Sequence, residues 1–366
     1  MDLKSRFRGL GLFVAVLALA SVLGRGTDAY ITNEEQSFLD WVISEGGELR
    51  VTIGRDAKGV RGLYTKQPVK KGEVLISIPE HLVLSVKNAA AAEATPQLLR
   101  EVYSPCSRLR PYLDTLPGPD GVLTAYNWPD EYVKYLADPV MEEQVTNSFK
   151  LHAKYTWLGN NDEEMEVTIP EAIGRANISL ADWEHMVSLL SSRTFTIRKG
   201  ALSLVPVLDL ANHDVRDVNQ LDNSSKVRLI AGKDLGAGEE VTITYGGLRN
   251  DELLLYYGFL DTVTEPPRLF SMDHRAYKLY EAKQLSDAPM EGTPEELRAE
   301  LARLRGVLAA LEERLAALGP IPQTRPYVAS VLASTHDVRR RALHAEIGRV
   351  ERKLQEGSNG SGGEEL

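Results

Sequence analysis

Leu204-Val205-Pro206-Val207-Leu208-Asp209-Leu210-Ala211-Asn212-His213-Asp214 is an apolar run that ends on an Asn-His pair. Its leucine- and valine-rich first half predicts a strand over residues 202–210. The strand would deliver two polar side chains at one end, which is a way to place chemistry at a sheet edge. His213 with Asp209 and Asp214 is a candidate metal cluster, but no second His or Cys stands at ligand spacing. A polar turn is the other reading of the same residues.

Two further segments are unusual for pure scaffold. Downstream, Gly238-Glu239-Glu240-Val241-Thr242-Ile243-Thr244-Tyr245-Gly246-Gly247 predicts a strand over 241–245 that ends on a tyrosine beside two glycines. Such a phenol can reach a reacting group, or it can form the aromatic edge of a core. Upstream, Lys58-Gly59-Val60-Arg61-Gly62-Leu63-Tyr64 places glycines around a strand start, where backbone can approach a ligand or simply turn.

Around these segments the chain alternates between β-rich and helical. Residues 33–43 read as a short amphipathic helix ended by Gly46-Gly47, followed by strands over 49–53, 62–65 and 74–78 that suggest a small antiparallel sheet. A strand over 227–231 is joined to 241–245 by the turn 234–238. Between the β-rich halves, residues 82–192 read as a helical insertion, with helices over 89–94 and 96–103, a proline-broken stretch at 105–120, and a helix over 131–158 interrupted at Pro139. Ser179 is an N-cap for a helix over 180–192 whose Leu180, Trp183, Val187 and Leu190 share one face.

A helix over 250–257 follows, and beyond Pro266-Pro267 the pattern is wholly helical. Thr293, Pro294 and Glu296 form a capping box with proline at the first helical position. Leu297, Leu301, Leu304, Leu308, Leu311, Leu315 and Leu318 repeat with 4-3 spacing, and a second helix spans 325–354 after Gly319-Pro320. Two such helices predict an intramolecular hairpin; a coiled-coil oligomer is the alternative. Residues 357–366 are rich in Gly, Ser and Glu and predict disorder.

With 43% hydrophobic residues the chain can build a sizeable core, and the net charge of −10 excludes a nucleic-acid binder acting through a general basic field. Residues 295–355 carry 11 Lys and Arg against 8 Asp and Glu, a contrast that suits either an acidic partner or ordinary solvated helix faces. Cys106 is the sole cysteine, so neither an internal disulfide nor a cysteine-based structural zinc site is possible. At the N-terminus, Lys4, Arg6 and Arg8 precede the small and apolar run 10–23, with Ala18-Leu19-Ala20 and Thr27-Asp28-Ala29 as small-residue cleavage sites. This is the layout of a secretory signal segment over 1–29, with chloroplast import as the alternative.

Taken in order and spacing, the three segments resemble a SET domain, of the class of the Rubisco large-subunit lysine methyltransferase and its actin-histidine methyltransferase relatives. The resemblance covers roughly residues 36–262, and more weakly the helical C-terminus. It implies S-adenosylmethionine as cofactor, with Arg61, Gly62, Leu63, Arg193, Asn212, His213, Tyr257 and Phe259 around it. It implies Tyr245 at the point of methyl transfer and Arg193, Phe195, Tyr245 and Tyr257 around the substrate. An aromatic at Phe195 suits an apolar lysine stem, where the histidine-methylating relative carries a polar amide.

The expectation is therefore an α+β chain. It comprises a targeting segment at 1–29, a SET fold of small antiparallel sheets at 30–262 with a helical insertion at about 82–192, a helical domain at 263–356 resembling a substrate-binding domain, and a disordered tail. The expected activity is protein-lysine N-methylation by a monomer, with a protein substrate and neither metal nor nucleic acid. A SET-fold binding module that recruits a partner through its C-terminal helices and a protein-histidine methyltransferase are the alternatives.

Overall fold

The computed structural model describes residues 31–86, 91–104, 106–150, 178–197, 201–275, 285–288 and 290–360. The leader read at 1–29, and the part of the helix expected beyond 150, lie outside them. The described residues form two compact units, 31–122 with 178–245 and 123–150 with 246–360. This division differs from the boundaries read in the sequence, because residues 123–150 of the insertion and residues 246–262 group with the C-terminal helices.

The first unit opens with helix α1 (Asn33–Ser44). The Thr32 hydroxyl accepts from the Glu35 N–H, and the Glu35 carboxylate accepts from the Thr32 N–H, so two orphan donors are satisfied at once. Phe38, Leu39 and Val42 form its buried stripe. The strands are β1 (Glu48–Leu49), β2 (Val51–Arg55), β3 (Arg61–Thr65), β4 (Val74–Ile78), β5 (Leu84–Val86), β6 (Phe195–Ile197), β7 (Ala201–Leu204), β8 (Gln220–Asp222), β9 (Val227–Ile230) and β10 (Glu240–Val241). They form three small antiparallel sheets of order β1-β4-β9-β8, β10-β3-β2 and β5-β7-β6. The early strands thus divide between two sheets, and the 234–238 turn carries the chain from one sheet to another.

Three local expectations change. The strand expected over 202–210 stops at Leu204, because Pro206 offers no N–H and Val207 takes φ 69, turning the chain into the 3-10 turn Leu208–Leu210. The strand expected over 241–245 pairs as a strand only at β10; beyond it Ile243 makes a parallel bridge to His213. Helix α2 (Ala91–Tyr103) runs through Pro96 instead of breaking there, at the cost of one intrahelical hydrogen bond. Helix α3 (Leu180–Arg193) forms as expected, with the Ser179 hydroxyl accepting from the Asp182 N–H at 3.1 Å and Trp183, Met186, Val187 and Leu190 buried.

In the second unit, short turns at Asp130–Val133 and Pro139–Glu143 precede helix α4 (Asn250–Tyr257) and the two long helices α5 (Pro294–Leu318) and α6 (Pro326–Gly360). Leu297, Leu304 and Leu311 of α5 pack against Leu343, Ile347 and Val350 of α6. The pairs Arg305–Glu351 at 2.7 Å and Arg340–Glu312 at 2.5 Å tie the helices in antiparallel register. The 4-3 leucines therefore serve a hairpin within the chain. Helix α6 also continues through Gly360, four residues into the stretch expected to be disordered.

Candidate active site

The three segments singled out in the sequence meet at one side-chain amide. Asn212 Nδ2 donates to the Arg61 carbonyl at 3.0 Å and to Glu240 Oε1 at 2.8 Å, joining the start of β3, the Asn-His turn and the start of β10. Glycine at 62 is what lets them approach: a Cβ there would stand 2.7 Å from both Asn212 Nδ2 and Glu240 Oε1.

Tyr245 is fixed from the same turn. Its hydroxyl donates to the Ala211 carbonyl at 2.9 Å and its N–H donates to His213 Nδ1 at 3.0 Å, with the two rings 5.1 Å apart. A backbone N–H can only donate, so His213 Nδ1 presents its lone pair, and any ring proton of the neutral imidazole sits on Nε2. The Asn212 carbonyl accepts from the Ile243 N–H at 2.9 Å, and the Ile243 carbonyl accepts from the Asp214 N–H at 3.1 Å. Backbone and side chains together clamp the Asn-His turn to the segment that carries the tyrosine.

Beside this clamp lies a buried charge cluster. Arg193, at the end of α3, donates through Nη1 to the Asp209 carbonyl at 3.1 Å and to Asp209 Oδ2 at 3.3 Å, and the Tyr112 hydroxyl donates to the same oxygen at 3.0 Å. The Asp209 side chain is only 1% exposed. Burial pushes its carboxyl above the ordinary range, and Arg193, Tyr112 and Arg61 pull against that without overcoming it. Its second oxygen, Oδ1, is buried with no hydrogen-bond partner among the described residues. Burial, then the Asp209 charge, holds the Tyr112 phenol protonated well above its usual value.

Arg61 approaches Glu35 Oε1 at 3.9 Å, and that carboxylate is also gripped by Arg55 at 2.9 Å. Burial would raise the Glu35 carboxyl, but the hydrogen bonds from Arg55 and Thr32 hold it below the ordinary range. The metal reading of Asp209, His213 and Asp214 loses its basis, since each has a different engagement: Asp209 with Arg193 and Tyr112, His213 with the Tyr245 N–H, and Asp214 with Arg216.

The sequence-derived residues divide accordingly. Arg61, Gly62, Arg193, Asn212, His213 and Tyr245 all belong to the first unit and to the two adjoining arrangements just described. Leu63 is fully buried between Ile53 and Val241 in the middle of its sheet, so its side chain serves the core. Phe195 opens β6, partly buried and opposite Ser203. Tyr257 and Phe259 belong to the second unit, their rings 6.1 Å apart across Gly258, whose φ of 77 ends α4. Sequence reasoning missed Tyr112, the pairing of Asp209 with Arg193, and Glu240 as a partner of Asn212. A lone carboxylate inside Leu208-Asp209-Leu210 was the available signal, because an acid among buried leucines needs a partner.

This chain belongs to the SET-domain family: the model of the SET domain matches residues 60–246, just over half of the chain. Among curated relatives it is similar to an actin-histidine N-methyltransferase of Callithrix jacchus, 23% identical over 54% of this chain and 37% of the relative. It is also similar to the N-lysine methyltransferase SETD6 of Mus musculus, 22% identical over 61% of this chain and 54% of the relative. The chain thus spans about a third to a half of the length of these proteins. In fold it resembles the structure of Rubisco LSMT bound to AdoMet, with a TM-score of 0.63 at 17% identity, covering 89% of this chain and 93% of that one.

Proposed function

We propose that this chain is an S-adenosylmethionine-dependent protein-lysine N-methyltransferase. The observation that carries the reading is the meeting of β3, the Asn-His turn and the Tyr245 segment on Asn212 Nδ2, with the Tyr245 hydroxyl anchored on Ala211.

The residues present fit the cofactor. Its amino-acid end carries a carboxylate and an ammonium, and beside the clamp stand two guanidinium groups, Arg61 and Arg193, together with the partnerless Asp209 Oδ1. Arg61, Arg193, Asp209 and the backbone of Gly62, Asn212 and His213 would hold it. When bound, S-adenosylmethionine would supply an electrophilic methyl on a sulfonium, the C–S bond giving way to a new C–N bond and the ammonium proton leaving to water.

What the chain must do is align the amine. Positioning of this kind is worth about 7–11 kcal/mol of barrier. The Tyr245 hydroxyl proton is committed to the Ala211 carbonyl, so toward an amine N–H this phenol would act as an acceptor that sets its direction. The Tyr245 phenol would serve as an aligner rather than as the general base. The amine must also be neutral, a form that makes up only about one part in a few thousand of free lysine at pH 7. The partly buried aromatic Phe195 supports an apolar lysine stem rather than an imidazole.

The test is transfer of labelled methyl from S-adenosylmethionine to arrayed peptides by the full chain and by Tyr245→Phe. The expected result is label on lysine, reduced about 100-fold or more in the variant with cofactor binding unchanged. Label on histidine alone would transfer the reading to the actin-histidine type. Cofactor binding with no methylated residue of either kind would leave a binding module.

A further inference from the structure

The second unit holds a cavity of about 590 Å³ that the methyl-transfer reading does not use, walled by residues 264, 266–269, 274–275, 285–288 and 290 and by α5 and α6. A volume in this range suits a small organic ligand. Pro266, Pro267, Leu269, Leu285, Met290 and Ala345 supply apolar walls. Its polar centre is a pair of arginines. Arg249 is only 1% exposed and donates to the Leu269 carbonyl at 2.9 Å and the Leu285 carbonyl at 3.1 Å, so its guanidinium is fixed in place. Arg268 donates to the Leu248 carbonyl at 3.3 Å.

Both arginines converge on one planar carboxylate. Arg249 Nη2 meets Asp287 Oδ1 and Arg268 Nη2 meets Asp287 Oδ2, each at 2.9 Å. Asp287 itself is 53% exposed, whereas the arginines are 1% and 21% exposed, so a surface carboxylate caps one buried and one partly buried cation. The other acids of the cavity are engaged elsewhere: Glu300 by Arg303 at 2.7 Å and Glu346 by Arg349 at 3.1 Å. Two buried ring or guanidinium nitrogens, Arg268 Nε and His274 Nε2, have no hydrogen-bond partner among the described residues. A buried polar atom left unpaired costs about 1–3 kcal/mol, and a ligand oxygen at this site would remove that cost. Rotation of the Asp287 side chain alone would open the arginine pair, since the Arg349 contact to this residue is to its backbone carbonyl.

We propose that this cavity binds a small carboxylate with an apolar tail, and that Asp287 occupies the ligand carboxylate's place in the free chain. The inference stands apart from the methyltransferase reading, because it uses neither the Asn-His turn nor the cofactor.

The test is calorimetric titration of octanoate into the full chain, with octan-1-ol as the uncharged control and Asp287→Asn and Arg268→Gln as variants. The cavity predicts one octanoate per chain and little binding of the alcohol. Asp287→Asn removes the internal competitor and should bind about tenfold tighter. Arg268→Gln should bind about thirtyfold weaker. If Arg268→Gln does not fold by circular dichroism, Arg268→Lys takes its place; it keeps the charge but loses the fork and should also bind more weakly. Binding no tighter in Asp287→Asn, binding equal in the folded Arg268 variant, or many equivalents taken up regardless of sequence would each overturn the proposal.

Discussion

Replacing Asn212 with aspartate keeps the side-chain shape, removes the donor that joins the three segments and adds a charge. In the wild type that amide serves the Arg61 carbonyl at 3.0 Å and Glu240 Oε1 at 2.8 Å. A neutral hydrogen bond contributes about 1 kcal/mol and one to a charged group about 1.5–3 kcal/mol, so the lost donor alone costs roughly 2.5–4 kcal/mol. Aspartate also brings a second negative charge against Glu240. At 2.8 Å that repulsion is about 1.5 kcal/mol even with the dielectric of bulk water. Asn212→Asp should therefore destabilise the first unit by roughly 4–5.5 kcal/mol at pH 7, and Asn212→Ala by less, since it adds no charge. Urea unfolding followed by tryptophan fluorescence, in a background where Trp128 of the second unit is replaced by Phe, reads the first unit through the buried Trp183. The gap between wild type and Asn212→Asp should narrow at about pH 4, where carboxyls begin to protonate. An Asn212→Asp midpoint equal to wild type at pH 7, or a gap that ignores pH, would refute the clamp.

In the second unit, Gly258 has φ 77 and a Cβ there would lie 1.9 Å from the Leu123 carbonyl oxygen, a backbone atom that cannot swing away. Gly258→Ala should cost more than about 3 kcal/mol in urea unfolding, and a neutral result would contradict the packing of α4's end. Asp251 is fully buried and its carboxyl is pushed up to about 6 by burial, although the Ser271 and Met272 N–H groups pull it down. A carboxyl with a raised folded value contributes its stability fully below the unfolded value of 3.8 and loses it as pH rises through about 6. Between about pH 4 and pH 7 the wild type should lose roughly 2 kcal/mol that Asp251→Asn does not lose, measured from unfolding midpoints at both ends.

What could be read from the sequence was set by short-range chemistry. Thr293 and Ser179 cap their helices because a hydroxyl three residues before a backbone N–H is a local arrangement. The long helices of the hairpin follow from 4-3 leucines and a Gly-Pro break. The segment 202–210 misled because its residues are apolar and buried, and burial on all sides erases the periodicity that separates a strand from a turn. Pro206 was the one local sign of a stop, and nothing in the pattern announces the positive φ of Val207 that follows it. Sheet membership was equally out of reach: β9 and β10 are neighbours in sequence yet pair with β4 and β3, a choice made by contacts some 150 residues away or more. The candidate site was legible as three motifs, since their residue types are unusual in pattern. Its supporting shell was not, because Tyr112 and Glu240 acquire meaning only when folding brings Asp209 and Asn212 to them.

The most direct test of the central claim is calorimetric titration of S-adenosylmethionine into the full chain at neutral pH. The account predicts one cofactor per chain, with affinity falling in Asp209→Ala and retained in Tyr245→Phe. A folded wild-type chain that takes up no S-adenosylmethionine would contradict it.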